Sequence, residues 1–494
     1  MNAFHARCDT FRARVGMVFT EGQVVLLSLL LGICIPLIFA TMQEAMLNAV
    51  VLFCLVSVGG LVLCRKTQDH LNDPSLRVLG YFWLIKLGLT IFLLYAGWIP
   101  QLDPATSDAW GFDPQRYYLN AQQLIDNNWI PDIAWLRYTG ILYYYAAIYY
   151  VIGHNPVIPA LINVIVTLVA TLYLVRVGYE IKGQRGPRDW TLAFALLLPE
   201  MLWYDIMTSR ETLLAALLLV AMLTAGRYFA STAQISLSKT LIIVGLSASA
   251  VTAVRGSMLV PVVASIAVMV LLVRPQSGSR VVQRTILIVA AAALLIAGPI
   301  IAGFDFAGDL LLAFSAKDNI ALSDTFANEW SDNSIGLLLM PDGLLQSILF
   351  LPPRMLLYLV APLPSVFVPI SNLLAGSRED WQQLLTIASS LINILAIPYA
   401  LAALVQSFKT RKANAAPLIF HISYWFTFIA IAGGNLIIHP RYRAMAMPLL
   451  WGCAWLGAVL CSKSLIQKTS VIWYGLLTVS ALFYLNYKFL FSQT

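Results

Sequence analysis

Five aspartates lie between Pro100 and Tyr138 in a chain that is 60% hydrophobic. They are Asp103, Asp108, Asp113, Asp126 and Asp132. A carboxylate in a polar loop beside a bilayer can take the proton from a hydroxyl group, a general base role that typically gives about 10²–10⁴-fold acceleration. The loop 100–138 is therefore the first candidate for acid/base chemistry, and Asp113 and Asp108 are its candidate catalytic residues.

Asp113 also has a purely structural interpretation. It precedes Pro114, and proline is favoured at the first position of a helix, so the sequence predicts a helix from Pro114 with Asp113 as its N-cap. Such a cap stabilises a helix by about 1 kcal/mol. The two roles are compatible. Tyr117 and Tyr118 follow in the same helix and offer aromatic faces on which a sugar ring could stack.

A second polar group, Asp205, Arg210 and Glu211, follows the apolar run 190–204. These residues fit a simple polar turn between helices. They also fit a site, because ionisable groups at a membrane edge are costly and are functional by default. In that interpretation, Asp205 or Glu211 orients a hydroxyl-bearing acceptor or holds a divalent cation.

The third group of candidate residues is positively charged. Arg255 interrupts an apolar run, and His439, Arg441 and Arg443 lie in a short segment between two later runs. Arginine binds phosphate through two parallel hydrogen bonds, which the point charge of lysine does less well. Arg255, Arg441, Arg443 and Arg210 are the candidate phosphate ligands; the alternative is pairing with loop carboxylates or lipid headgroups. His439 fits a structural role better than that of a ligand.

Membrane-spanning helices must position these residues. A chain of 494 residues with only 11% charged residues and repeated apolar runs of bilayer length is an all-α polytopic membrane protein. The runs lie at about 23–41, 46–64, 79–98, 157–177, 190–204, 211–227, 240–254, 257–273, 285–303, 382–406, 417–434, 444–461 and 470–487. They predict about thirteen spans. The first run lacks a cleavage site and is interpreted as a retained anchor with a cytoplasmic N-terminus.

The short loops rich in lysine and arginine give the orientation. If the spans alternate, the loops at 65–77, 182–188, 227–239, 274–284, 409–412 and 463–468 share one side, the cytoplasmic side. The acidic loops 100–138 and 304–342 then face the periplasm. The agreement requires that the tyrosine-rich run 141–152, too short to span, lies in the outer interface. The run 343–371 is broken by prolines, and its crossing, zero or two times, stays open.

Composition also excludes other classes. The net charge is +7, but the basic residues are scattered through short loops, so we expect no nucleic-acid partner. The six cysteines lie in or near apolar runs or in the N-terminal tail, so we expect no disulfide framework, and no CxxC metal spacing occurs.

The order of these segments resembles the GT-C superfamily of membrane glycosyltransferases, which includes protein O-mannosyltransferases and lipid A aminoarabinose transferases. Four segments within residues 79–461 carry the resemblance: the helix after Asp113, the run from Leu142 to Asn155 with the span ending at Gly178, the turn from Pro199 to Glu211, and Arg441-Tyr442-Arg443 with Pro448. The chain departs from the superfamily where Asp108 and Asp113 stand five positions apart, and where two spans precede the core instead of one.

The resemblance implies a donor class and a division of the chain. Residues 1–78 hold the N-terminal tail and two extra spans, 79–303 a GT-C-like core with the catalytic loop, 304–381 an outer loop and a proline-rich membrane-edge segment, and 382–494 the C-terminal spans. The donor is a sugar on a polyprenyl phosphate, and the acceptor is a glycan or a lipid. No cofactor is required, because arginine can neutralise the leaving phosphate; a divalent cation is compatible with the carboxylates.

Two rival functions stay open. A polysaccharide polymerase or ligase acting on a polyprenyl-diphosphate-linked glycan would use the same arginines. A lipid-linked sugar transporter would use Lys86 and Glu200, ionisable groups inside apolar runs, as substrate or proton groups. The concentration of carboxylates on one side argues against the transporter.

Overall fold

The computed structural model describes residues 46–95, 113–131, 139–183, 186, 188–230, 235–272, 344–360, 378–411, 414–434 and 440–491. Over these ranges the chain is helical, with turns between helices and no strand. The helices are α1 (Met46–Leu71), α2 (Val78–Tyr95), α3 (Asp113–Asp126), α4 (Thr139–Ile152), α5 (Val157–Lys182), α6 (Pro199–Asp205), α7 (Glu211–Ala230), α8 (Leu237–Val254), α9 (Leu259–Leu272), α10 (Leu344–Val360), α11 (Arg378–Thr410), α12 (Leu418–Gly434), α13 (Pro440–Arg443), α14 (Met447–Leu460) and α15 (Lys463–Phe491). The prediction of a helical membrane protein is confirmed.

Seven helices among the described residues are long and apolar enough to cross a membrane. They are Leu47–Leu71, Pro74–Leu94, Val157–Lys182, Glu211–Ala230, Leu237–Val254, Leu384–Thr410 and Arg441–Leu460. The predicted total of thirteen is not confirmed. The predicted spans 23–41 and 285–303 lie outside the described residues, whereas α9 and α12 are shorter apolar helices.

The predicted span 190–204 is a broken helix. A 3₁₀ helix, Asp189–Leu197, precedes α6, and the two meet at Leu198 and Pro199. Proline favours this break because it lacks an N–H and fits the first position of a new helix. At about 2.0 Å per residue in the 3₁₀ helix and 1.5 Å in the α-helix, the pair is about 29 Å long, close to the thickness of a hydrocarbon core.

Contacts at one end of the bundle join the basic turns, and we call this end the lysine end. The hydroxyl of Tyr179 in α5 donates to Oδ2 of Asp73, just past α1, at 2.7 Å. Lys182 pairs with Asp189, and Nε of Arg227 in α7 lies 2.6 Å from Oε2 of Glu180. The loops predicted to share a side at 65–77, 182–188 and 227 therefore do meet.

The opposite end, which we call the cluster end, carries α4 across it. A Cβ on Gly140 would lie 2.1 Å from the carbonyl oxygen of Ala253, so α4 touches the end of α8. The Tyr145 hydroxyl reaches the turn after α6, and Asn48 at the start of α1 donates to the carbonyl of Ile152. The start, middle and end of α4 therefore all contact cluster-end segments, and α4 is one of the shorter apolar helices, which agrees with the prediction that it does not span.

The expectation that prolines break the run 343–371 is wrong for its first half. The helix α10 continues through Pro352 and Pro353 to Val360. Neighbouring helices can satisfy the backbone groups that a proline frees within a membrane protein. Arg354 also ties α10 to α12, since its Nε donates to the carbonyl of Ala432 at 2.8 Å. Residues 361–371 lie outside the described residues.

Candidate active site

The turn from Ile206 to Arg210 is held by side chains from two other helices. Asn163 in α5 donates through Nδ2 to the carbonyl of Met207 at 2.7 Å. The hydroxyl of Tyr145 in α4 donates to the carbonyl of Ser209 at 2.7 Å and accepts from the N–H of the same residue at 3.0 Å. One phenol thus satisfies both the N–H and the carbonyl of Ser209, and buried backbone groups need such partners. The turn fixes the backbone that leads into Arg210.

Burial maintains this role of Tyr145. Removal from water raises the pKa of Tyr145 well above its usual value. The hydroxyl therefore keeps its proton over the physiological range and remains able to donate to Ser209.

Arginines from three separate segments come together beyond this turn. Nε of Arg441 lies 3.2 Å from Oε1 of Glu211, the first residue of α7. The Cζ of Arg255 lies 4.8 Å from the ring centroid of Tyr442, and the Cζ of Arg441 lies 5.1 Å from it. Both distances fall in the range of cation–π attraction. Tyr442 is therefore flanked by two guanidinium groups that the sequence separates widely.

Arg210 completes the group. Burial, followed by the positive charges of Arg210 and Arg441, lowers the pKa of Arg255, while Tyr442 and Glu211 act in the opposite direction. We call Arg210, Arg255 and Arg441 the arginine cluster. Arginine stays protonated even in such surroundings. The cluster therefore brings together three positive charges and the Glu211 carboxylate in a largely buried setting, to which an anion with several oxygens is chemically suited.

Arg443, the fourth predicted phosphate ligand, lies apart from these contacts. Its Nε is 2.9 Å from each carboxylate oxygen of Glu200. Its two terminal nitrogens donate to the carbonyls of Tyr358 and Thr386 and to Oγ of Ser390, at 3.0 to 3.1 Å. Arg443 therefore ties α6, α10 and α11 together, and this geometry favours a structural role.

Asp205 is likewise enclosed. Its Oδ2 lies 2.5 Å from Nζ of Lys86, and neither side chain is exposed. Thr167 and Thr212 donate to Oδ1 at 2.8 and 2.9 Å. Lys86, which the sequence shows only as an ionisable group inside an apolar run, therefore has a buried carboxylate partner. Among the carboxylates considered for an acceptor or a cation, Glu211 is the one beside the arginine cluster.

The two tyrosines predicted to stack on a sugar are buried. Tyr117 is 1% and Tyr118 5% exposed. The ring of Tyr118 stacks on His154 with 4.0 Å between centroids and meets the edge of Tyr149. These contacts give Tyr118 a packing role between α3 and α4.

The candidate bases lie at or beyond the limit of the described residues. The helix α3 begins at Asp113 itself, one residue earlier than predicted. Asp108 and His439 lie outside the described residues, as does the side chain of Asp113. Within the described ranges, no group of three or more histidine, cysteine or acidic residues is arranged to hold a metal ion.

Sequence reasoning missed Tyr145, Asn163 and Tyr442 as parts of this region. In the sequence Tyr145 is one of several interfacial tyrosines, and Asn163 is one of a few polar residues inside an apolar run. A polar side chain in a predicted span is the signal that could have drawn attention to Asn163.

Comparisons of the chain with protein-family models, with curated proteins and with solved structures found no match. The chain can be placed in the class of helical membrane proteins by its fold.

Proposed function

We propose that this protein is a membrane glycosyltransferase that moves a sugar from a polyprenyl-phosphate donor to a hydroxyl group of a glycan or lipid acceptor. The observation that carries the proposal is the arginine cluster around Tyr442 with Glu211 beside it. Arginines buried at the end of a helical bundle suit the phosphate of a lipid-anchored donor, whose polyprenyl chain remains in the bilayer. By the distribution of basic loops, the cluster end faces the periplasm of a bacterial inner membrane.

In this mechanism, a carboxylate takes the proton from the acceptor hydroxyl while the oxygen of that hydroxyl attacks the anomeric carbon of the donor sugar. The bond from that carbon to the phosphate oxygen breaks, and the phosphate leaves with the electron pair. Asp113, or Asp108 in its place, is the base. The arginine cluster stabilises the charge that develops on the phosphate, and Glu211 orients Arg441 through their ion pair. No metal is needed in this scheme.

Arginine-to-lysine variants test the proposal because lysine keeps the charge and loses the planar fork. We expect Arg255→Lys and Arg441→Lys each to reduce the glycan product by about 10-fold or more, since a lost charged hydrogen bond is worth roughly 1.5–3 kcal/mol. The readout is mass analysis of envelope glycans in cells that depend on the variant, at matched membrane levels. Arg176→Lys is the control, because Arg176 lies at the lysine end with a side chain that is 45% exposed. Normal product from both cluster variants would refute the proposal.

Asp113→Asn and Asp108→Asn identify the base in the same assay. Asparagine caps a helix about as well as aspartate, so Asp113→Asn removes the base while keeping the cap. Loss of product in one variant only would assign the base to that residue. Full product from both would remove the loop 100–138 from the mechanism.

The same experiments separate the rivals. A ladder of products in place of a single added sugar would favour the polymerase. The transporter's candidate groups are engaged in buried ion pairs, Lys86 with Asp205 and Glu200 with Arg443, and this pairing argues against that rival. Translocation of a lipid-linked sugar by the purified protein in liposomes, without a glycosidic product, would favour the transporter.

A further inference from the structure

Three partly exposed aromatic side chains lie together where α3 is joined to α4. Trp129 is parallel to Tyr143, with 6.2 Å between ring centroids and 6° between planes. Tyr150 and Trp129 form a T-shaped pair with 5.7 Å between ring centroids, and Tyr150 is itself 68% exposed. We call Trp129, Tyr143 and Tyr150 the aromatic surface. It differs from Tyr117 and Tyr118, whose rings are covered by protein.

The backbone beneath this surface is strained. Asn128 has φ of 54° and Trp129 has φ of 65°, and a bulky residue in the left-handed region is uncommon. Local contacts hold Trp129 there: its N–H donates to the carbonyl of Leu124 at 2.8 Å, and its carbonyl accepts from the Tyr143 hydroxyl at 2.7 Å. Strained residues that the surroundings hold in place occur often in ligand clamps.

A small, mainly apolar groove lies next to the same turn. Leu124, Ile130, Pro131 and Leu142 line it, together with three residues that carry side-chain amides, Asn120, Gln123 and Asn127. The spacing of three and four residues places these amides on one face of α3 and the turn that follows it. Each amide can both donate and accept hydrogen bonds, and none carries a charge.

We propose that the aromatic surface and this groove bind a neutral pyranose unit of the acceptor glycan, a proposal that rests on the proposed function. The aromatic faces suit the C–H face of a sugar ring, and the amides suit its hydroxyl groups. Neutral donors and acceptors on one helical face match a polyol better than a phosphate or an ammonium headgroup, each of which calls for an opposite charge. The site is also near the arginine cluster, because α4 carries Tyr143 and its Gly140 touches Ala253, two residues before Arg255.

Saturation-transfer NMR with the purified protein in detergent tests sugar binding directly. The probes are methyl glucoside, methyl galactoside, methyl mannoside, cellobiose and chitobiose, which differ in hydroxyl pattern and share the pyranose C–H faces. We expect transfer to at least one probe, and Tyr150→Ala and Asn127→Ala each to weaken that binding by roughly 2- to 12-fold. Both side chains are exposed, so these variants should fold normally. Tyr474→Ala is the matched control, since Tyr474 is 39% exposed on α15, and it should leave binding unchanged.

A second measurement distinguishes a sugar site from contact with the bilayer, where tryptophan and tyrosine are also common. In liposomes with brominated acyl chains, the difference in fluorescence between wild type and Trp129→Phe reports whether lipid reaches Trp129. Strong quenching of this component together with no sugar binding would overturn the proposal and assign the surface to the bilayer. Binding of none of the five probes would overturn it as well.

Failure of the proposed function would look different. Arg255→Lys should retain sugar binding, because Arg255 lies outside the groove. If the protein binds sugar but Arg255→Lys and Arg441→Lys give normal glycan product, the sugar site would be supported and the transferase proposal would be refuted.

Discussion

The buried ion pair between Lys86 and Asp205 provides a direct test of how the site is supported. Lys86→Met keeps the length and apolar stem of the side chain and removes its charge. Nζ of Lys86 donates to the carbonyl of Leu196 at 3.0 Å as well as contacting Asp205. The change therefore leaves a buried carboxylate without its cation and takes a donor from the carbonyl at the break between the 3₁₀ helix and α6.

The magnitude follows from the burial of both partners. Both side chains are 0% exposed, and loss of one partner of such a pair costs about 3–5 kcal/mol of folding stability. With an unfolding entropy of roughly 2.1 cal/mol/K per residue, the 494-residue chain should melt at a temperature lower by about 4 °C. Because Asp205 precedes the turn 206–210, we also expect less glycan product.

Thermal unfolding of the purified protein in detergent, followed by tryptophan fluorescence, measures the effect. Lys86→Met combined with Asp205→Leu should recover more than half of the lost stability, because no unpaired charge then remains buried. Lys239→Met is the control; Lys239 is exposed in the first turn of α8, and its change should alter stability by less than about 0.5 kcal/mol. A melting temperature within about 1 °C of wild type for Lys86→Met, or a double variant no more stable than the single one, would refute the reasoning.

Two further predictions concern α4. Tyr145→Phe removes both hydrogen bonds to the turn 206–210, so glycan product should fall at least about 5-fold, because leaving buried backbone groups unsatisfied costs about 1–3 kcal/mol. Tyr144→Phe is the control, and equal product from both variants would contradict the positioning role. Gly140→Ala places a Cβ 2.1 Å from the Ala253 carbonyl oxygen and should destabilise the protein by about 1–3 kcal/mol. Gly245→Ala in α8, where a Cβ meets nothing within 4 Å, should be neutral or stabilising in the same unfolding assay; destabilisation by both would point to a general effect of substitution.

Local composition was enough to predict the class of fold and the grouping of several loops. Apolar runs of bilayer length depend only on local composition, so the sequence was enough to predict each of the seven candidate spans among the described residues. It also predicted further spans, about thirteen in all. The positions of lysine and arginine predicted that the turns near Asp73, Lys182 and Arg227 share one end, and their contacts agree. The length of the tyrosine run likewise predicted that α4 lies along an end.

Helix breaks were harder to predict. The run 190–204 has the composition of a span, yet it divides at Leu198 into a 3₁₀ helix and α6. Conversely, Pro352 and Pro353 stay within α10. Whether a proline interrupts a helix depends on which neighbouring helix satisfies the freed backbone groups, and local sequence carries no information about that neighbour.

Which charges form the candidate site depends on contacts between helices that are distant in the sequence. Arg441 and Arg443 are two residues apart and had the same sequence-based role, but Arg441 meets Glu211 while Arg443 is bound to Glu200. Residues two apart on a helix point in nearly opposite directions, at about 100° per residue, so neighbours in sequence enter different surroundings. The partner of Lys86 could not be predicted from the sequence either. Hydropathy places a residue within a helix but does not show which face of another helix that residue contacts.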